Sequence, residues 1–324
     1  MIVLNILINT ILEKQMNNNE PEIITEIQAK AQINHLGRSL ILYLSVFLLL
    51  QYGTNLIETY APQVFHGLNP DLFMLIASSI VMLLVAGIAF SVSASKLKLK
   101  IIDYLSKPKV TFGTMFQLVC IGIGIQLIIT SISSLFYFFF HTASSTYAFV
   151  GNYTTMEMIY LNIAYFVFYI ILKPICDEYI FRGIIQRQLG HYGRYFGVLA
   201  SSVLYAMAQS NLVEAIPALF IGWFLAIITL RYHSIRPAVI IHILVSLFIW
   251  GVDVIPESFI WVITVLIVIV YITAALSIFQ KHVLSIRAKT GATDGTLWKI
   301  LFTSSTIIIY TLLFILNLVL SSQI

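Results

Sequence analysis

Nine apolar stretches, each close to or at the length of a membrane-spanning helix, constrain this chain of 324 residues more than any other feature. A spanning helix needs about 20 predominantly apolar residues, and the chain is 59% hydrophobic and only 10% charged. The stretches are Leu40–Leu56, Leu72–Phe90, Phe116–Phe140, Met158–Ile175, Phe196–Met207, Leu212–Leu230, Pro237–Trp250, Phe259–Phe279 and Ile300–Leu320. The sequence therefore predicts an all-α, polytopic membrane bundle of about eight or nine transmembrane helices.

The distribution of lysine and arginine predicts the orientation of this bundle, because these residues are retained on the cytoplasmic side. Alternate segments between the apolar stretches carry the basic residues: Lys14 to Arg38, Lys96 to Lys109, Arg187 and Arg194, Arg231 and Arg236, and Lys281 to Lys299. The intervening segments have no lysine or arginine and carry Glu58, Asp71, Glu157, Glu214, Asp253 and Glu257. The pattern predicts a multi-pass protein of the cell membrane with a cytoplasmic N-terminus.

A cluster of charges interrupts one of these apolar stretches, at Asp177-Glu178-Tyr179-Ile180-Phe181-Arg182-Gly183. Ionisable residues at membrane depth are costly and usually mark a functional site with paired charges. Glu178 and Arg182 are four residues apart, as are Lys173 and Asp177, so each pair shares one helix face. Pro174 is expected to kink or break the helix and to leave the acidic pair at the start of a new helical segment.

Three further polar residues lie in the following apolar stretches: Gln209, His242 and Ser246. A turn at Gly190–Gly193 predicts an antiparallel hairpin, in which Glu178 and Gln209 lie about 21 and 25 Å from the turn and can face one another. His242 lies about 12 Å from its own turn. We divide the chain into a cytoplasmic arm (1–38), scaffold helices (39–155), a core with these polar residues (156–250) and C-terminal helices (251–324).

The core block from Met156 to Trp250 resembles the CPBP family of membrane-embedded metalloproteases, which includes CAAX prenyl endopeptidases and bacteriocin-processing (Abi-type) proteins. Its members carry Glu-Glu-x-x-x-Arg on one helix, Phe-x-x-x-His on the next and His-x-x-x-Asn on a later one. The resemblance implies a hydrolase in which glutamate and a metal ion, Zn²⁺, activate a water that attacks a peptide bond. It also implies a peptide or lipidated-protein substrate.

The three motifs match in part. Asp177-Glu178 with Arg182 fits the first, Tyr205 to Gln209 fits the second with Gln209 in place of histidine, and His242 to Ser246 fits the third with serine in place of asparagine. The resemblance implies catalytic roles for Asp177, Glu178, Arg182, His242 and Ser246, and metal binding by Glu178 and His242. A catalytic zinc site needs about three protein ligands, and Gln209 stands at the position of the missing one, so the incomplete ligand set leaves open the alternative that no metal is bound.

Two functions follow from this pattern, and a third is weaker. The first is an active membrane endopeptidase. The second is a pseudoenzyme, a membrane scaffold or regulator that binds a partner protein of the membrane or cell surface, or a lipid-linked ligand. A transporter would suit the buried charges, but no second broken helix appears in a matching repeat. A purely structural ion-pair network is the plain alternative for the charged cluster. The lipid bilayer is an expected partner and nucleic acid is not.

Overall fold

The protein is described by a computed structural model that covers residues 26–65, 69–100, 105–140, 156–255, 257–279 and 295–321. The regular structure within these ranges is helical throughout. In chain order the helices are α1 (Glu26–Tyr60), α2 (Pro70–Lys96), α3 (Phe112–Phe140), α4 (from Met156–Tyr165 to Gln186–Gly190), α5 (Arg194–Ala206), α6 (Leu212–Tyr232), α7 (Arg236–Val254), α8 (Ile260–Phe279), α9 (Gly295–Thr303) and α10 (Ser305–Ser321).

Each of the nine predicted apolar stretches falls on one of these helices or, for the last stretch, on the α9–α10 pair. Five helices are long and apolar enough to cross a membrane by themselves, namely α1, α2, α3, α4 and α6. The pair α9 and α10 passes the same test together but is bent by 70°, while α7 and α8 are shorter apolar helices. The prediction of an all-α, multi-pass membrane bundle is confirmed.

Helix α1 is longer than the sequence suggests. The boundary drawn at residue 38 between the arm and the first span falls inside α1, which runs for 35 residues from Glu26 to Tyr60. The polar residues near the start of α1 therefore extend the first span as one helix, because no proline or glycine pair interrupts it.

Helix α4 continues through Pro174, and the predicted break at this residue is wrong. The helix spans Ile159–Gly190 as one unit, with π-helical segments at Phe166–Leu172 and Glu178–Ile185 on either side of Lys173–Asp177. Proline has no backbone N–H to donate, and these wider turns allow the helix to continue without that hydrogen bond. Asp177 and Glu178 consequently lie in the interior of a long helix and not at a new helix N-terminus.

Small residues allow α5 and α6 to pack closely on α4. A side chain at Gly197 of α5 would place its Cβ 2.6 Å from the backbone nitrogen of Gly190. Gly222 and Ala226 of α6 form the small-residue pattern that favours close helix packing in membranes, and their carbonyl oxygens accept hydrogen bonds from Arg182 and Gln186 of α4, both at 2.8 Å. The three helices thereby form one tightly packed unit around the charged cluster.

Helix α5 ends after 13 residues. Two side chains of α10 donate hydrogen bonds to backbone carbonyl groups at this end of α5 and in the loop that follows it. Tyr310 donates to the carbonyl oxygen of Leu204 at 3.0 Å, and Asn317 donates to those of Gln209 and Ser210 at 3.2 and 2.9 Å. The last carbonyl groups of a helix have no partner within the helix, and a bilayer supplies no water to bind them. The last helix therefore holds the loop that carries Gln209.

Candidate functional site

Glu178 lies at the centre of a buried network that joins α4 to α7. Its carboxylate Oε1 is 3.0 Å from Nδ1 of His242, and its Oε2 is 3.3 Å from Nε of Arg182. The contact with Arg182 is an ion pair whose geometry falls short of a hydrogen bond. Glu178 and Arg182 are both 0% exposed. The predicted pairing of these two residues across one turn of helix is confirmed.

Arg182 binds to two further groups besides Glu178. Its Nη2 donates to the carbonyl oxygen of Gly222 at 2.8 Å, and its guanidinium stacks on the ring of Tyr205, 4.7 Å from the ring centroid. A Cβ at Gly222 would come within 2.9 Å of both Nη2 and the Tyr205 ring. The glycine therefore creates the space that this fully buried cation occupies.

Lys173 connects Asp177 to Gln209. Its ammonium Nζ is 3.0 Å from Oδ2 of Asp177 and 3.3 Å from Oε1 of Gln209. The amide nitrogen of Gln209 in turn donates to the backbone oxygen of Tyr205 at 3.1 Å. The predicted pairing of Lys173 with Asp177 is confirmed, and the contact with Gln209 places a cation between two of the positions at which this sequence departs from the family motifs.

A cavity of about 410 Å³ opens beside this network. Its wall includes Lys173, Tyr205, Gln209, Glu214, His242 and Ser246, together with aromatic side chains from Tyr165, Tyr169 and Trp250. Asp177, Glu178 and Arg182 lie behind the wall and are at most 1% exposed. The polar groups in contact with the cavity are therefore the Lys173 ammonium, the His242 imidazole, the Glu214 carboxylate and several carboxamides and hydroxyls, and not the central acidic pair.

One end of the cavity is formed where α6 begins. The side chain of Asn211 caps this helix, since its Oδ1 accepts from the backbone nitrogen of Glu214 at 2.9 Å and its Nδ2 donates to Oε1 of Glu214 at 3.1 Å. Asparagine is among the residues most favoured at this position. The cap fixes the Glu214 carboxylate at the edge of the cavity.

The structure brings most of the sequence-predicted site residues into one region, in two separate groups. Glu178, Arg182 and His242 contact one another, whereas Asp177 and Gln209 are joined through Lys173. Ser246 lies on the cavity wall one turn after His242. The sequence assigned no site role to Glu214, Tyr205 or Asn317, and it gave Lys173 no role beyond its pair with Asp177. Lys173 had a usable signal, since a lysine at membrane depth is itself unusual.

The donor atoms at the site do not fit a catalytic zinc ion. Such an ion takes about three protein ligands from Cys, His, Asp and Glu. Within the described part of the chain, no group of three or more such residues is arranged to hold a metal. Both carboxylate oxygens of Glu178 face His242 or Arg182, and the amide oxygen of Gln209 accepts from Lys173.

Comparison with known proteins agrees with the motifs. Residues 159–248 match the family model described as type II CAAX prenyl endopeptidase Rce1-like. The matched segment is less than a third of the chain but contains α5, α6 and most of α4 and α7. Neither the curated proteins nor the solved structures include a match to the chain. Through its residues 159–248, the chain is similar to the CAAX-type membrane endopeptidases.

Proposed function

We propose that this protein binds a peptide or the end of a lipidated protein in its membrane-embedded cavity and does not hydrolyse it. The observation that carries the proposal is the position of the Lys173 ammonium, which is bonded to both Asp177 and Gln209. The family motifs assign these two positions to the activation of water. A general base must be within hydrogen-bond reach of the proton that it removes. The Oδ2 atom of Asp177 is instead paired with the Lys173 ammonium.

Glu178 cannot take over this role from its place in the structure. It is fully buried behind the cavity wall, and its two oxygens are directed at His242 and Arg182. The network therefore stabilises the packing of α4, α6 and α7 and leaves the cavity without an acidic base at its centre.

The cavity has the character of a binding site for a short peptide segment. Ligand sites are typically about 300–1,000 Å³, mainly apolar and supplied with a few polar groups, and this one has about 410 Å³. Its aromatic side chains provide apolar contact area. Lys173, His242 and Ser246 provide hydrogen-bonding groups suited to the carbonyl oxygens of a peptide. A folded domain would not fit in a space of this size.

Hydrolysis assays on the purified protein in lipid nanodiscs test this proposal. The substrates are a pool of peptides with and without a prenylated cysteine near the C-terminus, analysed by mass spectrometry, and binding of the same pool is measured by fluorescence anisotropy. We expect saturable binding, no cleavage, and no difference in products between the wild type and Glu178→Gln. Cleavage that disappears in Glu178→Gln would overturn the proposal.

The contact between Glu178 and His242 supports a second candidate, a metal-independent endopeptidase. The 3.0 Å contact orients the imidazole through Nδ1 while His242 also lines the cavity, and such an oriented histidine is a common general base. Ser246, on the same wall, would donate a hydrogen bond to the developing oxyanion. In the same assay, this candidate predicts cleavage that survives a metal chelator and is lost in His242→Ala, whereas the proposal predicts no cleavage at all.

We further propose that the N-terminus is cytoplasmic and that the cavity opens on the opposite side of the membrane. The basic residues Arg194, Arg231 and Arg236 lie at one end of the core helices, and Gln209, Glu214 and Trp250 lie at the other end or approach it. Lysine and arginine are retained on the cytoplasmic side. The acidic end of the core therefore faces outward under this orientation.

Cysteine labelling in intact cells checks this orientation. The native thiols Cys120 and Cys176 are both buried and are first replaced by alanine. With a membrane-impermeant maleimide we expect Gln63→Cys and Glu214→Cys to be labelled in intact cells, since both positions are exposed. His191→Cys, in the exposed turn between α4 and α5, serves as the control and is expected to react only after lysis. The reverse pattern would contradict the orientation.

A further inference from the structure

A second opening lies beside α4 and is separate from the cavity. It is a crevice of about 490 Å³ lined by Leu83, Ala86, Gly87, Leu105, Ile175, Cys176, Tyr179, Ile235, Arg236, Val239 and Ile240. Helix α4 contributes Ile175, Cys176 and Tyr179 to the crevice and a different set of residues, which includes Lys173 and Pro174, to the cavity. The two openings have no lining residue in common. The crevice is therefore separate from the proposed peptide site.

The crevice is apolar apart from one cation at its edge. The hydroxyl group of Tyr179 is already hydrogen-bonded to Ser91 at 2.6 Å. Arg236 is the one charged residue among the lining residues, and its side chain is exposed at the first turn of α7. This end of α7 follows the turn that begins at His233, after Arg231 in the last turn of α6, on the side of the bundle with the basic residues.

These features identify the chemistry of an occupant. A peptide would bring backbone amide and carbonyl groups into a space that offers them no partners, which is costly in an apolar environment. A hydrocarbon chain has no such requirement. A basic residue beside a crevice between membrane helices on the cytoplasmic side is a recurrent feature of sites for anionic lipid headgroups. An acyl chain would contact the apolar wall of the crevice, and the phosphate of the same lipid would lie beside Arg236. Such a lipid matches both the apolar wall and the cation at its edge.

We propose that this crevice binds an acyl chain of an anionic phospholipid, with the lipid phosphate paired to Arg236. The site is formed by α2, α4 and α7 together, so a bound lipid fills the space between the helix that carries Lys173 and Asp177 and the helix that carries His242. The proposal is independent of whether the cavity lined by Lys173 and His242 hydrolyses or only binds peptides.

Gly87 provides a way to close the crevice without disturbing the protein. A Cβ at this position meets no atom within 4 Å, so the side chain of Gly87→Leu would extend into the crevice. Gly53 of α1 is a matched control, because a Cβ there also meets no atom within 4 Å and the residue is not part of the crevice wall. Both substitutions replace glycine in a helix, which raises helix propensity in each case.

Native mass spectrometry with added lipid tests the proposal. The purified protein is titrated with dioleoyl phosphatidylglycerol or dioleoyl phosphatidylcholine, and the dissociation constant of the first bound lipid is measured. We expect the wild type to bind the anionic lipid about fivefold more tightly. Gly87→Leu is expected to weaken binding of both lipids about tenfold or more, whereas Gly53→Leu keeps the wild-type affinities. Arg236→Gln is expected to remove the preference for the anionic lipid and to retain the binding of the chain.

Inorganic phosphate in excess distinguishes a lipid site from a simple anion site. Because the acyl chain supplies most of the contact, we expect phosphate to leave bound phosphatidylglycerol in place. Displacement of the lipid by phosphate, equal affinities of the wild type for the two lipids, or wild-type affinity in Gly87→Leu would each overturn the proposal.

Discussion

Replacing Arg182 with methionine is expected to lower the free energy of unfolding by about 3–5 kcal/mol, because it removes one partner of a buried ion pair. The guanidinium is 0% exposed, faces Glu178, donates to Gly222 and stacks on Tyr205. Methionine fills part of the volume but supplies no charge and no donor. Glu178 would then remain buried with His242 as its one partner in the network, and the carbonyl group of Gly222 would lose its donor.

Thermal and denaturant unfolding in detergent, followed by circular dichroism, measure this loss. Arg194→Met is the control, because Arg194 is exposed at the start of α5 and its replacement is expected to change stability little. The double variant Glu178→Gln with Arg182→Met removes both charges and is expected to recover part of the loss, since neighbouring substitutions in one network are not additive. Wild-type stability in Arg182→Met would show that the buried pair does not stabilise the bundle.

Replacing Lys173 with methionine is the second change with a large expected effect. Asp177 is 1% exposed and its Oδ2 has Lys173 as ion-pair partner at 3.0 Å, so the variant leaves a buried carboxylate without a cation. We expect a loss of stability of up to about 3–5 kcal/mol. The loss should fall below that of Arg182→Met, because the lysine side chain is 23% exposed to the cavity, where solvent moderates the interaction.

A second substitution separates the charge effect from lost packing. Lys173→Met with Asp177→Leu leaves no unpaired charge, and replacing a buried ion pair with apolar residues is often neutral or stabilising. We therefore expect this double variant to unfold near the wild-type temperature. Lys299→Met, at an exposed position on α9, controls for the general effect of removing a lysine. A double variant as unstable as Lys173→Met alone would contradict the pairing of Lys173 with Asp177.

Local spacing was sufficient to predict the helices and the ion pairs along α4. The hydrophobic stretches define the spans, and residues four apart on a helix must lie on the same face. The small residues Gly222 and Ala226 favour close packing of α6 in any membrane bundle, but they do not predict the hydrogen bonds that their carbonyl groups accept from Arg182 and Gln186. These features depend on one helix, or on a contact that small residues favour in any membrane bundle.

The features that decide the chemistry depend on how separate helices are rotated and where they end. The contact of Lys173 with Gln209 requires α5 to end early, and that end is held by Asn317, more than 100 residues later in the chain. Whether Glu178 faces the cavity or lies behind its wall follows from the rotation of α4 against α7. The break predicted at Pro174 is wrong because π-helical turns on either side allow the helix to continue although proline has no N–H to donate.

The central claim is that the Lys173 ammonium occupies the position between Asp177 and Gln209 at which the family motifs would assemble a water-activating site. Zinc content tests it most directly, measured by inductively coupled plasma mass spectrometry on protein purified from zinc-supplemented medium. We predict far less than one zinc ion per chain in the wild type, and a marked increase when Lys173→Met is combined with Gln209→His. A stoichiometric zinc ion in the wild type that is lost in His242→Ala would contradict the claim.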